Sequence, residues 1–238
     1  MTPESQDERS VLYEFARDRV RGARRVLDCA CGPGGGTNII AVGSPGAECI
    51  GVDRDAGLVR EARGKFRAPN LSFEEGNALA LREPDGAFDA VVSCHTVEHF
   101  SAGNQRRLLA ELRRVLAPAG TLVIATPDRD VWAALGIAGE QEDHICELTK
   151  KEFVEEVSAA GFEVLEVLGQ NPLMSENFPL RRFLNFLKRL DVLRLRRLLG
   201  GFRRTIDKKT QPISQDASVV PLREGEKASV SVIVARRK

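Results

Sequence analysis

Long apolar runs, paired cysteines and aromatic rings are all scarce in this chain of 238 residues, and each scarcity removes a class of protein. No stretch approaches the roughly eighteen consecutive apolar residues that a membrane-crossing helix requires, so a helical integral membrane protein is not expected. The five cysteines, Cys29, Cys31, Cys49, Cys94 and Cys146, show neither C-x-x-C spacing nor a second pair. That argues against a structural zinc site and a disulfide framework, and they read instead as small buried hydrophobes. One tryptophan and one tyrosine leave too few rings to stack the bases of single-stranded nucleic acid. Residues Met1 to Arg9 are acidic and polar, without the apolar centre of a signal peptide, and the expected location is cytoplasmic.

Hydrophobic residues make up 42% of the chain, enough for the core of one α/β domain. Net charge is only +1, yet eleven Arg or Lys stand between Arg181 and Lys209 against Asp191 and Asp207. That local balance of +9 leaves the rest of the chain at −8, an asymmetry that marks a contact surface. Leu180, Phe183, Leu184, Leu187 and Leu190 fall on one helical stripe between the charges, and Gly200-Gly201 ends it. Residues 180–204 therefore read as a basic contact segment whose part up to Leu199 is an amphipathic helix. It suits an anionic acceptor or peripheral contact with a membrane, and the plainer alternative is a solvated helix packed on the domain.

The segment from Arg25 to Asp53 carries the most information. Val26 and Leu27 end a buried strand; Asp28-Cys29-Ala30-Cys31-Gly32-Pro33-Gly34-Gly35-Gly36 then lets the backbone approach a ligand closely. Thr37 to Val42 predicts a short helix, and Cys49 to Val52 a second strand closing on Asp53. An acid some twenty residues past the glycines, at the tip of the second strand, is where a ribose with two free hydroxyls is held. The expected ligand is an adenosine-type cofactor. A short-chain nicotinamide dehydrogenase would need Tyr-x-x-x-Lys, but the one tyrosine, Tyr13, is followed four residues later by Arg17.

Val26-Leu27-Asp28-Cys29-Ala30-Cys31-Gly32-Pro33-Gly34 resembles the first motif of class I S-adenosyl-L-methionine (SAM) dependent methyltransferases, V-L-D-x-G-x-G-x-G, with Ala30 in the first glycine position. Further segments resemble that family in order: Glu75-Gly76-Asn77-Ala78, where Asn77 replaces the acid that meets the adenine amino group; Phe88 to Cys94 as a fourth strand; and Leu116-Ala117-Pro118-Ala119-Gly120 before a fifth. The resemblance implies a doubly wound, Rossmann-like α/β fold of seven mostly parallel strands with the last antiparallel. The chain is expected to form one domain over residues 1–238; where the family can join its last two strands by a tight hairpin, this sequence has a helical insertion over residues 171–226. By the same resemblance SAM is the cofactor, held by Asp28, Ala30, Gly32, Gly34, Asp53, Arg54, Asn77, Ala78, Cys94 and His95.

Gln141 to Thr149 resembles an N-P-x-H-x-x-E-x-T stretch of bacterial methyltransferases that act on glycans, lipid-linked sugars and small molecules, the match resting on His144, Glu147 and Thr149. It implies a substrate-facing role for His144, with Glu98 and His99 as further catalytic candidates. The expected acceptor is an oxygen of a small molecule or a glycan. Glu98-His99 with Asp143-His144 also resembles the metal-dependent RNA 3′-end 2′-O-methyltransferases, but His95 stands where that family has a first glutamate. An imidazole there weakens a Mg²⁺ site, so no metal is expected. A non-catalytic SAM-binding module is the remaining alternative.

Overall fold

The computed structural model describes residues 6–135, 143–173, 218–222 and 226–238. Strands β1 (Arg25–Cys29), β2 (Glu48–Asp53), β3 (Leu71–Glu75), β4 (Phe88–Cys94), β5 (Leu116–Pro127), β6 (Phe162–Leu173), β7 (Val219–Pro221) and β8 (Lys227–Arg237) form one sheet in the order β3-β2-β1-β4-β5-β8-β6-β7. The first five run parallel, and β8 enters antiparallel between β5 and β6. Helices α1 (Gln6–Arg19), α2 (Gly35–Gly43), α3 (Ala56–Lys65), α4 (Ala102–Val115), α5 (Arg129–Leu135) and α6 (Lys150–Ala159) complete it.

Side chains alternate across each strand, so neighbours in sequence enter opposite cores. Leu27, Ile50, Val91, Leu122 and Ile124 pack with Leu108, Leu109 and Leu112 of α4 and Phe153 of α6. Val26, Cys49, Ala90, Val92 and Val123 pack with Leu12 and Ala16 of α1 and Ile40 of α2. Both faces of the parallel region are thus covered, which is why its strands read as near-continuous apolar runs. Helix α6 starts with the capping box that its sequence predicts: Thr149 and Glu152 bond each other's backbone N–H, and Gly161 beyond the helix has φ +90°.

Two expectations need correction. The sheet has eight strands among the described residues, not seven, because Val219–Pro221 pairs antiparallel with β6 at the edge. The ends of the 171–226 insertion are accordingly strand: β6 runs on to Leu173, and β7 follows the undescribed part. The basic segment read over residues 180–204, with its amphipathic helix, lies outside the described residues. No helix among the described residues is long and apolar enough to cross a membrane.

Candidate active site

The cradle forms where β1 meets α2, and its backbone takes conformations that its composition only hints at. Gly32 and Gly34 have φ of +55° and +81°, and Ala30, standing in a glycine's place, has φ +63°. A Cβ on Gly32 or Gly35 would meet nothing within 4 Å, so this wall is open, whereas one on Gly34 would come within 2.6 Å of the Phe73 ring. Asp53 ends β2; its Oδ2 accepts from the Gly32 N–H at 2.8 Å and its Oδ1 from the Asp55 N–H at 2.9 Å. The acid and the glycine turn are thereby locked together. An open wall of backbone facing a half-buried carboxylate fits a ligand with vicinal hydroxyls.

Asp28 lies behind that wall. It is buried, with Tyr13 Oη donating to one oxygen at 3.2 Å and Thr37 Oγ1 to the other at 2.6 Å. Burial pushes its carboxyl up to about 6, against the lowering by Thr37 and Tyr13. Tyr13 also lies against Gly36, where a Cβ would be 2.2 Å from its ring, so α1 is docked directly onto the glycine turn. Tyr13 was not among the site residues expected from sequence; its place at helical spacing with Leu12 and Ala16 was the available signal. Arg54 is exposed and Ala78 packs against the core. Asn77 turns its carbonyl to its own loop, accepting from the Leu79 N–H at 2.9 Å. Burial pushes the thiols of Cys29, Cys31 and Cys94 well up, as expected for small core residues.

A second group of residues gathers at the carboxyl end of β4, which pairs with β1 beside the cradle. His95 follows the strand at φ +54°, and a 3₁₀ turn over Val97–His99 presents Glu98 and His99. Glu98 is fully buried; Thr126, near the end of β5, donates to its Oε2 at 2.8 Å, and His95 Nδ1 lies 3.6 Å from its Oε1. Burial alone would raise this carboxyl, but His95 first, then the backbone and Thr126, hold it below the ordinary range.

Residues 143–149 dock on this turn because the Glu98 carbonyl accepts from the N–H groups of Ile145 and Cys146 at 2.8 and 3.1 Å. Gln105 of α4 adds a brace through Nε2, donating to the carbonyls of Val97, Phe100 and Cys146. Ser101, at the start of α4, makes no side-chain capping bond. The docking brings His144 to His99, their ring centroids 5.2 Å apart, while Trp132 of α5 lies 5.4 Å from His144 on a tilted plane. His144 Nδ1 meets Glu147 Oε1 at 2.7 Å, and His99 Nδ1 meets the Asp143 carbonyl at 3.0 Å. The three catalytic candidates therefore converge. Thr126 and Trp132, which support them, were not among the residues read from sequence.

A family profile described as a methyltransferase domain matches residues 26–120. A probable S-adenosylmethionine-dependent methyltransferase of Mycolicibacterium smegmatis is 33% identical over 159 residues, 67% of this chain and 59% of that one. Demethylmenaquinone methyltransferase of Thermus thermophilus is 41% identical over 106 residues, covering 44% of this chain and 47% of the relative. Among solved structures, a methyltransferase assigned as such only provisionally, from Bacillus halodurans, superposes with a TM-score of 0.62 at 20% identity, covering 94% of this chain and 98% of its own; at that identity it speaks for the fold alone. The chain spans about half to three fifths of the length of these curated relatives. With the glycine turn, the acid at the end of β2 and the antiparallel β8 beside β5, these similarities show that the chain belongs to the class I SAM-dependent methyltransferases.

Proposed function

We propose that this protein transfers a methyl group from SAM to an oxygen of a small-molecule or glycan-type acceptor. The observation that carries the acceptor side is the His144–Glu147 pair, 2.7 Å apart and largely buried beside the cradle. SAM supplies a methyl already activated on a sulfonium, so the chain has only to hold the cofactor, align the acceptor behind the methyl and receive one proton. Gly32, Gly34 and Asp53 would hold the nucleoside end, with Asn77 and Ala78 towards the base and Cys94 and His95 at the end of β4. Glu147 accepts from His144 Nδ1–H, which leaves the lone pair on Nε2 to take the acceptor's proton and lets the carboxylate stabilise the resulting imidazolium. Trp132 fixes the plane of the ring.

The relatives named above include one whose printed name is demethylmenaquinone methyltransferase, which favours a small acceptor for this chain too. The test is transfer of labelled methyl from SAM over a panel: hydroxylated quinols, free and lipid-linked sugars, and RNA bearing a free 3′ end. His144→Gln should lower kcat about 10²–10⁴-fold while SAM affinity changes by less than about twofold. Undiminished turnover in that variant would remove His144 from the reaction, preference for the RNA end would favour the RNA methyltransferase reading, and SAM binding without turnover on any acceptor would favour a binding module.

A further inference from the structure

We infer that Trp132 is a positioning residue whose indole face holds the positive charge that His144 acquires during turnover. This role rests on His144 as the base proposed above, and it goes beyond fixing the plane of the ring. It follows from the path of the charge. An oxygen lone pair of the acceptor forms the bond to the methyl carbon as the carbon–sulfur bond breaks and leaves its electrons on sulfur. The acceptor's proton passes to His144 Nε2, while the electrons of the O–H bond remain on oxygen. One positive charge therefore leaves the sulfonium and ends on the imidazole.

A neighbour that binds imidazolium better than imidazole lowers the barrier, because that charge develops only as the reaction proceeds. Glu147 Oε1, 2.7 Å from Nδ1, is one such neighbour. Burial opposes it: the His144 side chain is only 5% exposed, so water does little to solvate the new charge. Both ring nitrogens point outward in the plane of the imidazole, and both are committed, Nδ1 to Glu147 and Nε2 to the acceptor. Only the faces of the ring are left to meet a further stabilising group.

Trp132 is placed to be that group. Its ring centroid lies 5.4 Å from that of His144 with the planes 32° apart, nearer to a stack than to an edge contact, and inside the roughly 6 Å over which an aromatic face attracts a cation. His99, by contrast, meets His144 at 75°. The indole is locked: Nε1 donates to the Ser229 carbonyl at 3.0 Å, the same carbonyl accepts from the Asp128 N–H at 3.0 Å, and Trp132 is buried. Cation–π attraction is strongest where water is excluded. The charged and titratable groups around His144 are Asp143 and Glu147 of its own segment, Glu98 and His99 of the 3₁₀ turn, and Arg129 of α5, which donates to the Glu147 carbonyl and to Glu152. Trp132 carries no charge, so its contribution separates from theirs when the ring alone is altered.

Trp132 is the chain's single tryptophan, so biosynthetic replacement with mono-, di- and trifluorinated tryptophan weakens the negative ring face in steps at nearly constant shape. On the acceptor that the panel identifies, kcat should fall in that order, by about 3- to 10-fold in the trifluorinated protein, while the acceptor's KM and the SAM affinity change by less than about twofold. Trp132→Phe should keep part of the rate, and Trp132→Leu should lose about 10- to 30-fold. A second readout needs no acceptor. The midpoint of His144 protonation, followed by NMR through its ring C–H signals and identified by their absence in His144→Gln, should lie about one pH unit lower in Trp132→Leu than in the parent, with the trifluorinated protein between. Retained SAM binding certifies that the variants are folded. An unchanged kcat across the fluorinated series, or an unchanged midpoint in Trp132→Leu, would overturn the inference and leave His144 standing as the base. Full turnover in His144→Gln would sink the base reading instead, and the midpoint would then decide the indole contact by itself.

Discussion

Replacing Gly34 with alanine tests how tightly the cradle is built. Gly34 has φ +81°, caps the start of α2 and donates its N–H to the Cys31 carbonyl at 3.1 Å. An alanine held in that left-handed region costs about 1–2 kcal/mol. Its Cβ would also stand 2.6 Å from Phe73 Cε1 and 2.7 Å from the Ala62 Cβ, inside any real contact distance. Phe73 and Ala62 are themselves 3% and 0% exposed, so neither side can yield without moving α3 or β3, an overpacking of about 1–3 kcal/mol. The two contributions together come to about 2–5 kcal/mol. For a domain of this size each kcal/mol lowers Tm by about 2–4 °C, which makes the expected drop about 4–20 °C. Urea unfolding monitored by circular dichroism, with the slope m checked for constancy, gives the same quantity at 25 °C. A variant melting within about 1 °C of the parent would mean that the glycine turn is neither left-handed nor close-packed there, and the cradle as described would be wrong.

Two further substitutions probe the same region. Ala30→Gly removes an alanine from φ +63°, relieving about 1–2 kcal/mol of strain against about 0.4–1 kcal/mol of extra unfolded-state freedom, so the protein should be unchanged or up to about 1.5 kcal/mol more stable by urea titration; a loss above about 1 kcal/mol would refute the strain. Asp28 titrates near 6 when folded, against 3.8 ordinarily, so the folded protein holds a proton between about pH 4 and 6 that the unfolded chain releases. Stability contributed by the protonated carboxyl is thus present at acid pH and lost as pH rises through about 6. Asp28→Asn should gain on the parent by up to about 3 kcal/mol between pH 4 and 6.5, and a pH-independent difference in unfolding free energy would show that Asp28 titrates normally.

The parallel core was legible because its strands are buried on both faces, as the unbroken burial of Val26 to Cys29 in β1 and of Ala90 to Cys94 in β4 illustrates. The capping box at Thr149 was legible because both of its partners lie within one helical turn. What could not be read depends on distant partners. Gly169 to Leu173 has the composition of a loop, and Val219–Pro221 is three residues long, yet both are strand because β8 and β6 supply their hydrogen bonds. The substitution at Ala30 is visible in sequence; the left-handed backbone it must adopt is not. The histidines could be nominated by residue type and order, but the contact of His99 with His144, 45 positions apart, required the Glu98 carbonyl to anchor Ile145 and Cys146.

Calorimetric titration of SAM into the full chain and into Asp53→Ala tests the central claim most directly. Asp53 is joined to Gly32 across the mouth of the cradle, and removing its carboxylate would loosen the turn and, on the proposed role of Asp53, leave the ribose hydroxyls unpaired. One SAM should bind the parent chain in the micromolar range or tighter, and Asp53→Ala should weaken it by about 1–3 kcal/mol, roughly 5- to 150-fold. No binding of SAM at millimolar concentration, or equal affinity in the two proteins, would contradict the account.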